Sequence, residues 1–306
     1  MRALGSKRDD RHDTSWVRAA APRSWAACAS LIALLVVGMA LLGAGCGVTI
    51  GPTQVLVIEE PLGGAAVTNI ELDMGAGKLN LAPGSTGLVT GQIRYNVESW
   101  KPTVERSDSG VKIKQGSRKS LSGLGADIVN EWQLQLGSAP MRLDLSAGAY
   151  EGSYDLSGLV LQGLTIKDGA SKVQVMFNSP NPGQMDRLQY ETGASDVTFT
   201  SLANANFKTM EFKGGAGSYT LDFAGQLRTD GTVHAAAGVG SMRIVVPAQT
   251  AARVEVDTAL IDVSTEGNWA VSGKTYSTPA AGGDRQAKTL TIRVDMGVGS
   301  LELVTK

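Results

Sequence analysis

The side chains that could carry out chemistry are few in this sequence of 306 residues. His234 is the only histidine after the first 45 residues, so a histidine-based zinc site or a serine–histidine pair would depend on it alone. The only cysteines are Cys28 and Cys46. Residues 53–306 therefore hold no disulfide, thiolate metal site or cysteine nucleophile. We predict no catalytic residue, no metal site and no cofactor.

Carboxylates deserve separate attention, because some β-solenoid proteins are lyases or hydrolases that act on acidic polysaccharides. Such an enzyme needs several charged groups that converge on one face. Asp73 and Asp144 stand two positions before a cluster of small residues, and Asp168 stands one position before another. These copies need not be neighbours in space, and scattered carboxylates also avoid stacking like charges. A polysaccharide-acting β-helix enzyme is therefore kept as an alternative function.

Aromatic side chains could instead contact a carbohydrate or a protein. Trp100, Trp132, Trp269 and Tyr276 all lie in or beside segments that interrupt the strand pattern. Loops on a rigid scaffold often carry binding functions, so we take these four residues as the candidate interaction surface. The other interpretation is that each covers a loop or an end of the core. A carbohydrate-binding module is thus a second alternative function.

The charge distribution separates the first 45 residues from the rest. They carry six Lys or Arg and three Asp, whereas residues 46–306 carry 22 basic and 26 acidic residues. A mildly acidic chain lacks the basic surface that phosphate backbones require. We therefore predict no nucleic-acid partner.

The N-terminal segment has the form of an export signal. Residues 1–23 are polar and basic, residues 26–45 carry no charge, and the apolar run ends in Leu-Gly-Ala-Gly-Cys at residues 42–46. This ending resembles the lipobox of bacterial lipoproteins, which implies cleavage before Cys46 and a lipid on its thiol. The match is imperfect, because Gly43 stands where the lipobox usually has Leu. An uncleaved signal anchor is the alternative, since about 20 apolar residues can span a bilayer.

Both interpretations place the rest of the chain on the outer face of the cytoplasmic membrane. Basic residues stay on the cytoplasmic side, and the next basic residue after the apolar run is Lys78. Several acyl chains, as lipoproteins carry, hold a protein firmly at a membrane. We therefore predict extracytoplasmic location with a membrane anchor.

The overall composition indicates a folded protein with an unusual core. Hydrophobic residues make up 42% of the chain, which favours a packed core over disorder. There are 38 Gly but only 5 Phe, 6 Tyr and 5 Trp. The sequence therefore predicts a core of aliphatic side chains with many tight turns.

The most informative pattern is a phrase that recurs along the chain: an alternating strand, a cluster of tiny residues, and another alternating strand. The first small residues of five copies are Ser146, Gly169, Gly193, Gly215 and Gly238, at steps of 23, 24, 22 and 23 residues. A constant period is typical of a solenoid, in which each coil covers the apolar positions of its neighbour. Small residues at the corners avoid a collision with the copies above and below.

These observations predict an all-β fold, a single-stranded right-handed β-helix (β-solenoid) with coils of about 22–24 residues. An antiparallel sandwich with glycine-rich hairpins is the alternative that the turn spacing leaves open.

At residues 69–84, with Gly-Ala-Gly-Lys-Leu at 75–79, and at the later Gly-Ala-Gly and Gly-Ala-Ser copies, the sequence resembles the bacterial toast-rack (adhesin-like) family of unknown function. That family is related to cell-wall-active-antibiotic response proteins. The resemblance covers residues 66–306 and implies an envelope protein without an established activity. It supplies no functional residues.

The sequence divides into four parts. Residues 1–45 are a signal peptide with a lipobox-like end, 46–65 a tether, 66–150 an N-terminal toast-rack-like β region and 151–306 a regular β-solenoid region. We predict a non-enzymatic envelope lipoprotein that serves as a scaffold or adhesin-like interaction module, with a role in envelope stress. Its predicted partners are the membrane, through Cys46, and an envelope protein or cell-wall glycan. Free strand edges at the solenoid ends would allow self-association.

Overall fold

The computed structural model describes residues 50–116, 127–257, 260–283 and 286–306. The export segment, Cys28 and Cys46 lie outside these ranges, as do residues 117–126. Within the described ranges the secondary structure consists of strands and three short 3₁₀ turns, which confirms the all-β prediction. No helix in these ranges is long and apolar enough to cross a membrane.

Sixteen strands form one continuous sheet. They are β1 (Ile50–Glu60), β2 (Thr68–Pro83), β3 (Val89–Val97), β4 (Thr103–Ser107), β5 (Gly110–Lys114), β6 (Asn130–Leu136), β7 (Met141–Asp155), β8 (Leu161–Met176), β9 (Met185–Thr200), β10 (Phe207–Asp222), β11 (Gly231–Val246), β12 (Ala251–Val256), β13 (Ile261–Glu266), β14 (Ala270–Ser272), β15 (Thr275–Ser277) and β16 (Thr289–Thr305). The 3₁₀ turns are Glu98–Trp100, Leu202–Ala205 and Pro279–Gly282.

Seven long strands form the centre of the sheet. They pair in parallel in the order β2, β7, β8, β9, β10, β11 and β16. Each has two arms that meet at a corner of small residues. In β8, for example, Leu164 and Ile166 are buried before the corner and Val173 and Val175 after it, so the corner shifts the alternation by one residue. Both arms thereby direct apolar side chains to one interior.

A column of glycines runs through the corners of all seven long strands. A Cβ on Gly215 would lie 2.4 Å from the carbonyl oxygen of Gly193, and one on Gly238 would lie 2.7 Å from that of Gly215. Only glycine allows the backbones to approach this closely. The members of the column are Gly75, Gly148, Gly169, Gly193, Gly215, Gly238 and Gly297.

The strand register agrees with most of the predicted repeat and corrects one part of it. Ala170 pairs with Ala194, Ala194 with Ala216, and Ala216 with Val239, which gives offsets of 24, 22 and 23 residues. The predicted alignment of Ser146 with Gly169 is wrong, because Ser146 pairs with Lys167. That copy has Ser-Ala before its corner glycine, so its first small residue is not the corner.

Each end of the parallel stack is covered by two shorter strands. At one end β5 and β6 pair with the two arms of β2, and at the other β12 and β13 pair with the two arms of β16. At the first end the buried carboxamide of Gln115 lies over the corner. Its Oε1 accepts hydrogen bonds from the backbone N–H of Gly75 (2.7 Å) and from Asn130 Nδ2 (2.9 Å). The Gln115 side chain therefore accepts the hydrogen bonds that the backbone of another stacked coil would otherwise accept.

The sheet also bears on the predicted division of the chain. β1 begins at Ile50, inside the segment predicted as a tether. The predicted boundary at residues 150 and 151 lies within β7, which pairs with both β2 and β8. Residues 267–289 contain β14, β15 and the third 3₁₀ turn, and β15 pairs with β12. A separation into two regions remains a prediction.

The core is mainly aliphatic, as predicted, and it also contains all five phenylalanines. Parallel register places rings on successive strands directly over one another. Tyr190 pairs with Phe212 across β9 and β10, and their rings stack with centroids 5.6 Å apart. A small number of aromatic rings therefore forms a stacked cluster in the core, because the rings lie in adjacent coils.

Candidate functional site

His234 lies on the outward side of β11 and is held by a carboxylate. Its Nε2 is 2.6 Å from Asp295 Oδ2. Arg293 Nε donates to the same oxygen at 3.3 Å, and Arg293 also pairs with Asp257. These side chains are largely exposed and satisfy one another, so they form a surface ion-pair chain of small energetic value. This geometry does not activate a nucleophile.

Two of the carboxylates considered for catalysis, Asp144 and Asp168, face opposite sides of the sheet. Asp144 points outward from β7 and is exposed, whereas Asp168 points inward from β8 at the corner. The hydroxyl groups of Tyr150 (3.2 Å) and Tyr190 (2.6 Å) donate to Asp168 Oδ2. The structure therefore does not bring the two carboxylates together. Asp168 instead serves as the acceptor for buried tyrosines.

Burial keeps the tyrosines around Asp168 protonated. The pKa values of Tyr150 and Tyr190 are raised far above the usual range of tyrosine, first because burial penalises the charged form and then because Asp168 and neighbouring tyrosines add negative charge. The pKa of Tyr154 is raised by burial as well, and its hydroxyl donates to Tyr150 Oη at 2.8 Å. The hydroxyl groups of Tyr150 and Tyr190 thus donate directly to Asp168, and the hydroxyl group of Tyr154 donates to that of Tyr150.

We expect Asp168→Ala to lower the free energy of unfolding by about 2–4 kcal/mol, because two buried hydroxyls lose their acceptor. Asp144→Ala is the matched control and should change it by less than about 0.5 kcal/mol, since Asp144 is exposed. Urea denaturation of the purified full-length protein measures both. Equal effects of the two substitutions would contradict this assignment.

Two of the four aromatic residues predicted to form an interaction surface are in the interior. Trp100 is 2% exposed and Trp132 is fully buried, so that prediction is wrong for both. Trp132 Nε1 donates to Asn130 Oδ1 at 3.0 Å, which satisfies the indole inside the core. The reason is positional: Trp132 belongs to β6, one of the strands that cover β2. A large ring is used there to close the end of the stack.

Trp269 and Tyr276 lie at the other end of the sheet and are partly buried. Their rings meet edge to face with centroids 6.5 Å apart, and Trp269 Nε1 donates to the carbonyl oxygen of Leu303 at 3.2 Å. They pack against the core at the end formed by β12 to β16. The four predicted residues therefore do not form one surface, and a binding role remains a prediction for Trp269 and Tyr276 alone.

The outer face of the second arm carries a row of neutral hydrogen-bonding side chains, which we call the amide row. One member comes from each of seven adjacent strands, and neighbours in the row are directly paired residues. The members in spatial order are Gln92, Gln133, Asn80, Ser153, Gln174, Thr198 and Thr220. With strands spaced about 4.8 Å apart, the row is about 29 Å long.

Most of the hydrogen-bonding capacity of the amide row is unused. Gln92 Nε2 donates to Gln133 Oε1 at 3.2 Å. Among the described residues, the side chains of Asn80, Gln174 and Thr220 make no hydrogen bond to protein groups. An outward carboxamide offers donors and acceptors together. The row can therefore bind a partner that presents both at regular intervals.

A second row, which we call the charge row, runs beside the amide row, two residues away along each strand. Its members alternate strictly in sign: Arg94, Glu131, Lys78, Glu151, Lys172 and Asp196. Arg94 and Glu131 approach to 2.8 Å, and Lys78 and Glu151 to 3.5 Å. The charges of the three basic and the three acidic residues cancel, so the charge row has no net charge.

An open groove follows the amide row. One section of about 630 Å³ is lined by Gln92, Gln133, Asn80 and Ser153, and Val57 lies at its outer end. A second section of about 240 Å³ continues past Asn80 and Ser153 to Gln174. The two sections share Asn80 and Ser153. Five of the seven members of the amide row thus line two adjoining depressions.

The outer face of the first arm has a different character. Its polar side chains are joined in ion pairs, such as Lys208 with Asp186 (2.7 Å) and Lys213 with Glu211 (2.5 Å). Arg187 also pairs with Glu211. Ion pairs therefore join several polar side chains of that face, whereas the amide row of the second arm consists of neutral side chains.

Together these features describe an all-β protein of stacked strands whose second arm has a polar outer face, and among the described residues Asp144 and Asp168 are not brought together. Residues 53–186 match the family described as the N-terminal domain of toast_rack, DUF2154. The chain thus carries a toast-rack N-terminal domain, and the predicted family is confirmed. No curated protein matches the sequence.

Three solved structures resemble the chain at low identity. A candidate cell adhesion protein from Clostridium sporogenes is 18% identical with a TM-score of 0.47, and the match covers 83% of this chain and 99% of that one. A candidate lipid binding protein from Parabacteroides distasonis is 11% identical with a TM-score of 0.36, covering 83% and 97%. A candidate adhesin from Bacteroides fragilis is 12% identical with a TM-score of 0.30, covering 82% and 95%. Likenesses at this level support no statement about function.

Proposed function

We propose that this protein is a non-enzymatic, adhesin-like interaction module of the bacterial envelope. The observation that carries the proposal is the amide row, a rigid line of neutral groups with unused hydrogen-bonding capacity. Amides and hydroxyls on a flat sheet suit binding, whereas acid–base catalysis needs groups with tuned pKa values. The opposite orientations of Asp144 and Asp168 also support binding over hydrolysis.

The same proposal includes a tether at the outer face of the cytoplasmic membrane. Only three residues lie between Cys46 and the first residue of β1, and four steps of extended chain span at most about 14 Å. A lipid on Cys46 would therefore hold the β1 end of the stack close to the bilayer. A scaffold so placed suits contact with envelope components, including those of a stress response. Among the described residues β1 pairs only with β3, so its other edge is where two copies would associate.

We also propose that the coils wind right-handed with about 22–24 residues each. Connections between parallel strands of one sheet are almost always right-handed. The offsets of 24, 22 and 23 residues in β8 to β11 support this coil length.

We expect the thiol of Cys46 to carry the lipid. Metabolic labelling with an alkyne fatty acid should label the wild-type protein and the Cys28→Ser control, and should fail to label Cys46→Ser. Cys28 lies within the apolar run and is removed in a cleaved lipoprotein. Labelling of Cys46→Ser equal to that of the wild type, or no labelling of the wild type, would contradict a lipid on Cys46.

The binding function is tested by co-sedimentation of the full-length protein with isolated bacterial envelope material. We expect the wild type to sediment, and a variant with Gln133→Lys and Gln174→Lys to lose most of this binding. Both side chains are exposed, so the substitutions should not disturb the fold. Gln226→Lys adds one lysine outside the amide row and should bind normally. Equal sedimentation of all three proteins, or none by the wild type, would contradict the proposal.

A further inference from the structure

We infer that the amide row binds an extended, uncharged polysaccharide, an inference that rests on the proposed function. The strand spacing of about 4.8 Å is close to the length of one pyranose unit in an extended glycan chain. Successive sugars can therefore stay in register with successive strands. Gln92, Gln133 and Asn80 would pair with sugar hydroxyls, because a carboxamide donates and accepts in the way that two neighbouring hydroxyls require. Ser153, Gln174, Thr198 and Thr220 would continue the same contacts.

The charges beside the row favour a neutral glycan over an acidic one. The cations of the charge row are matched by carboxylates, as Arg94 is by Glu131 and Lys78 by Glu151. An acidic polymer would have to displace these carboxylates and meet their negative charge. A neutral chain meets no such penalty, and the alternating charges still offer hydrogen bonds to hydroxyls at its flank.

The shape of the groove favours an internal stretch of a long chain. Its two sections adjoin and share the lining residues Asn80 and Ser153. Val57, which is 62% exposed, pairs with Gln92 and extends the row with an apolar side chain. Such a side chain can cover the C–H face of a sugar ring. If each of the seven strands contacts one sugar unit, the row can accommodate a hexasaccharide or a longer chain.

A peptide fits this site less well than a glycan. Extended peptides usually bind by adding a strand to a free sheet edge, where backbone groups are unpaired. The amide row lies on a sheet face, and the backbone beneath it is already paired on both sides. A peptide strand also alternates its side chains, so it presents a group only at every second residue. A glycan presents hydroxyls at each unit.

Calorimetric titration of the full-length protein in detergent tests the inference. The probes are cellohexaose, maltohexaose and chitohexaose as neutral oligomers and hexagalacturonate as the acidic one. We expect at least one neutral hexamer to bind at least tenfold more tightly than hexagalacturonate. Asn80→Ala and Gln174→Ala should each weaken that binding about fivefold, and together more than tenfold, since each removes hydrogen bonds to the sugar. Gln226→Ala is the matched control and should leave the affinity unchanged.

The outcomes separate this inference from the proposed function. The glycan inference is overturned if no neutral hexamer binds, if the acidic hexamer binds equally well, or if the Ala variants bind like the wild type. If it is overturned while the Gln133→Lys and Gln174→Lys variant still fails to co-sediment with envelope material, the row binds another partner, such as a protein. If that variant co-sediments normally as well, the proposed interaction face is also wrong.

Discussion

Gly240→Ala is expected to lower the free energy of unfolding by at least about 4 kcal/mol and to leave little folded protein. Gly240 has a φ of 137°, which costs a residue with a side chain about 1–3 kcal/mol. Its Cβ would also lie 1.9 Å from the carbonyl oxygen of Gly217 in the neighbouring strand. That oxygen belongs to the backbone, so it cannot move without loss of the pairing between β10 and β11.

The measurement is urea denaturation of the full-length protein, followed by tryptophan fluorescence. Gly282→Ala is the matched control, because a Cβ there meets no atom within 4 Å and the backbone has no positive φ. It should change the stability by less than about 0.5 kcal/mol. A stable Gly240→Ala protein would show that the corners do not need glycine and that the stacked register is wrong.

Trp132→Ala is expected to cost about 3–5 kcal/mol, because removal of a fully buried indole leaves a large cavity. It also leaves Asn130 Oδ1 without the donor that lies 3.0 Å away. The effect should be on folding rather than on binding. This expectation differs from that of a carbohydrate-binding surface that includes Trp132, in which the same substitution would remove a surface ring and leave the fold intact.

Two controls make the Trp132 result interpretable. Trp132→Phe keeps most of the ring and loses the N–H donor, so it should cost about half as much or less. Trp269→Ala removes a partly buried ring and should also cost less than Trp132→Ala. If Trp132→Ala unfolds at the same urea concentration as the wild type, the indole does not close the end of the stack.

The repeat could be predicted from the sequence because its cause is local. Backbone contact at the corners restricts those positions to glycine, and this restriction recurs at each coil. The error at Ser146 arose where extra small residues precede Gly148, since composition alone does not show which one lies over Gly169. The inward position of Asp168 could also have been predicted, because it continues the alternation of Leu164 and Ile166.

The amide row could not have been predicted from the repeat. Two of its members, Gln92 and Gln133, come from β3 and β6, which pair antiparallel to each other and lie outside the repeating units. Their alignment with Asn80 depends on the register of strands far apart in sequence, and a shift by one residue would reverse every side chain. The misassignment of Trp132 has the same origin, because a strand that covers an end resembles an interruption in the sequence.

The central claim is that the amide row is the face through which the protein meets its partner. A photoreactive amino acid placed at Gln133 of the full-length protein in living bacteria tests it most directly. We predict that irradiation links this position to envelope material, while the same group at Gln226 or at Thr232, on the outer face of the first arm, gives little product. Equal linking at all three positions, or linking at Thr232 alone, would contradict the account.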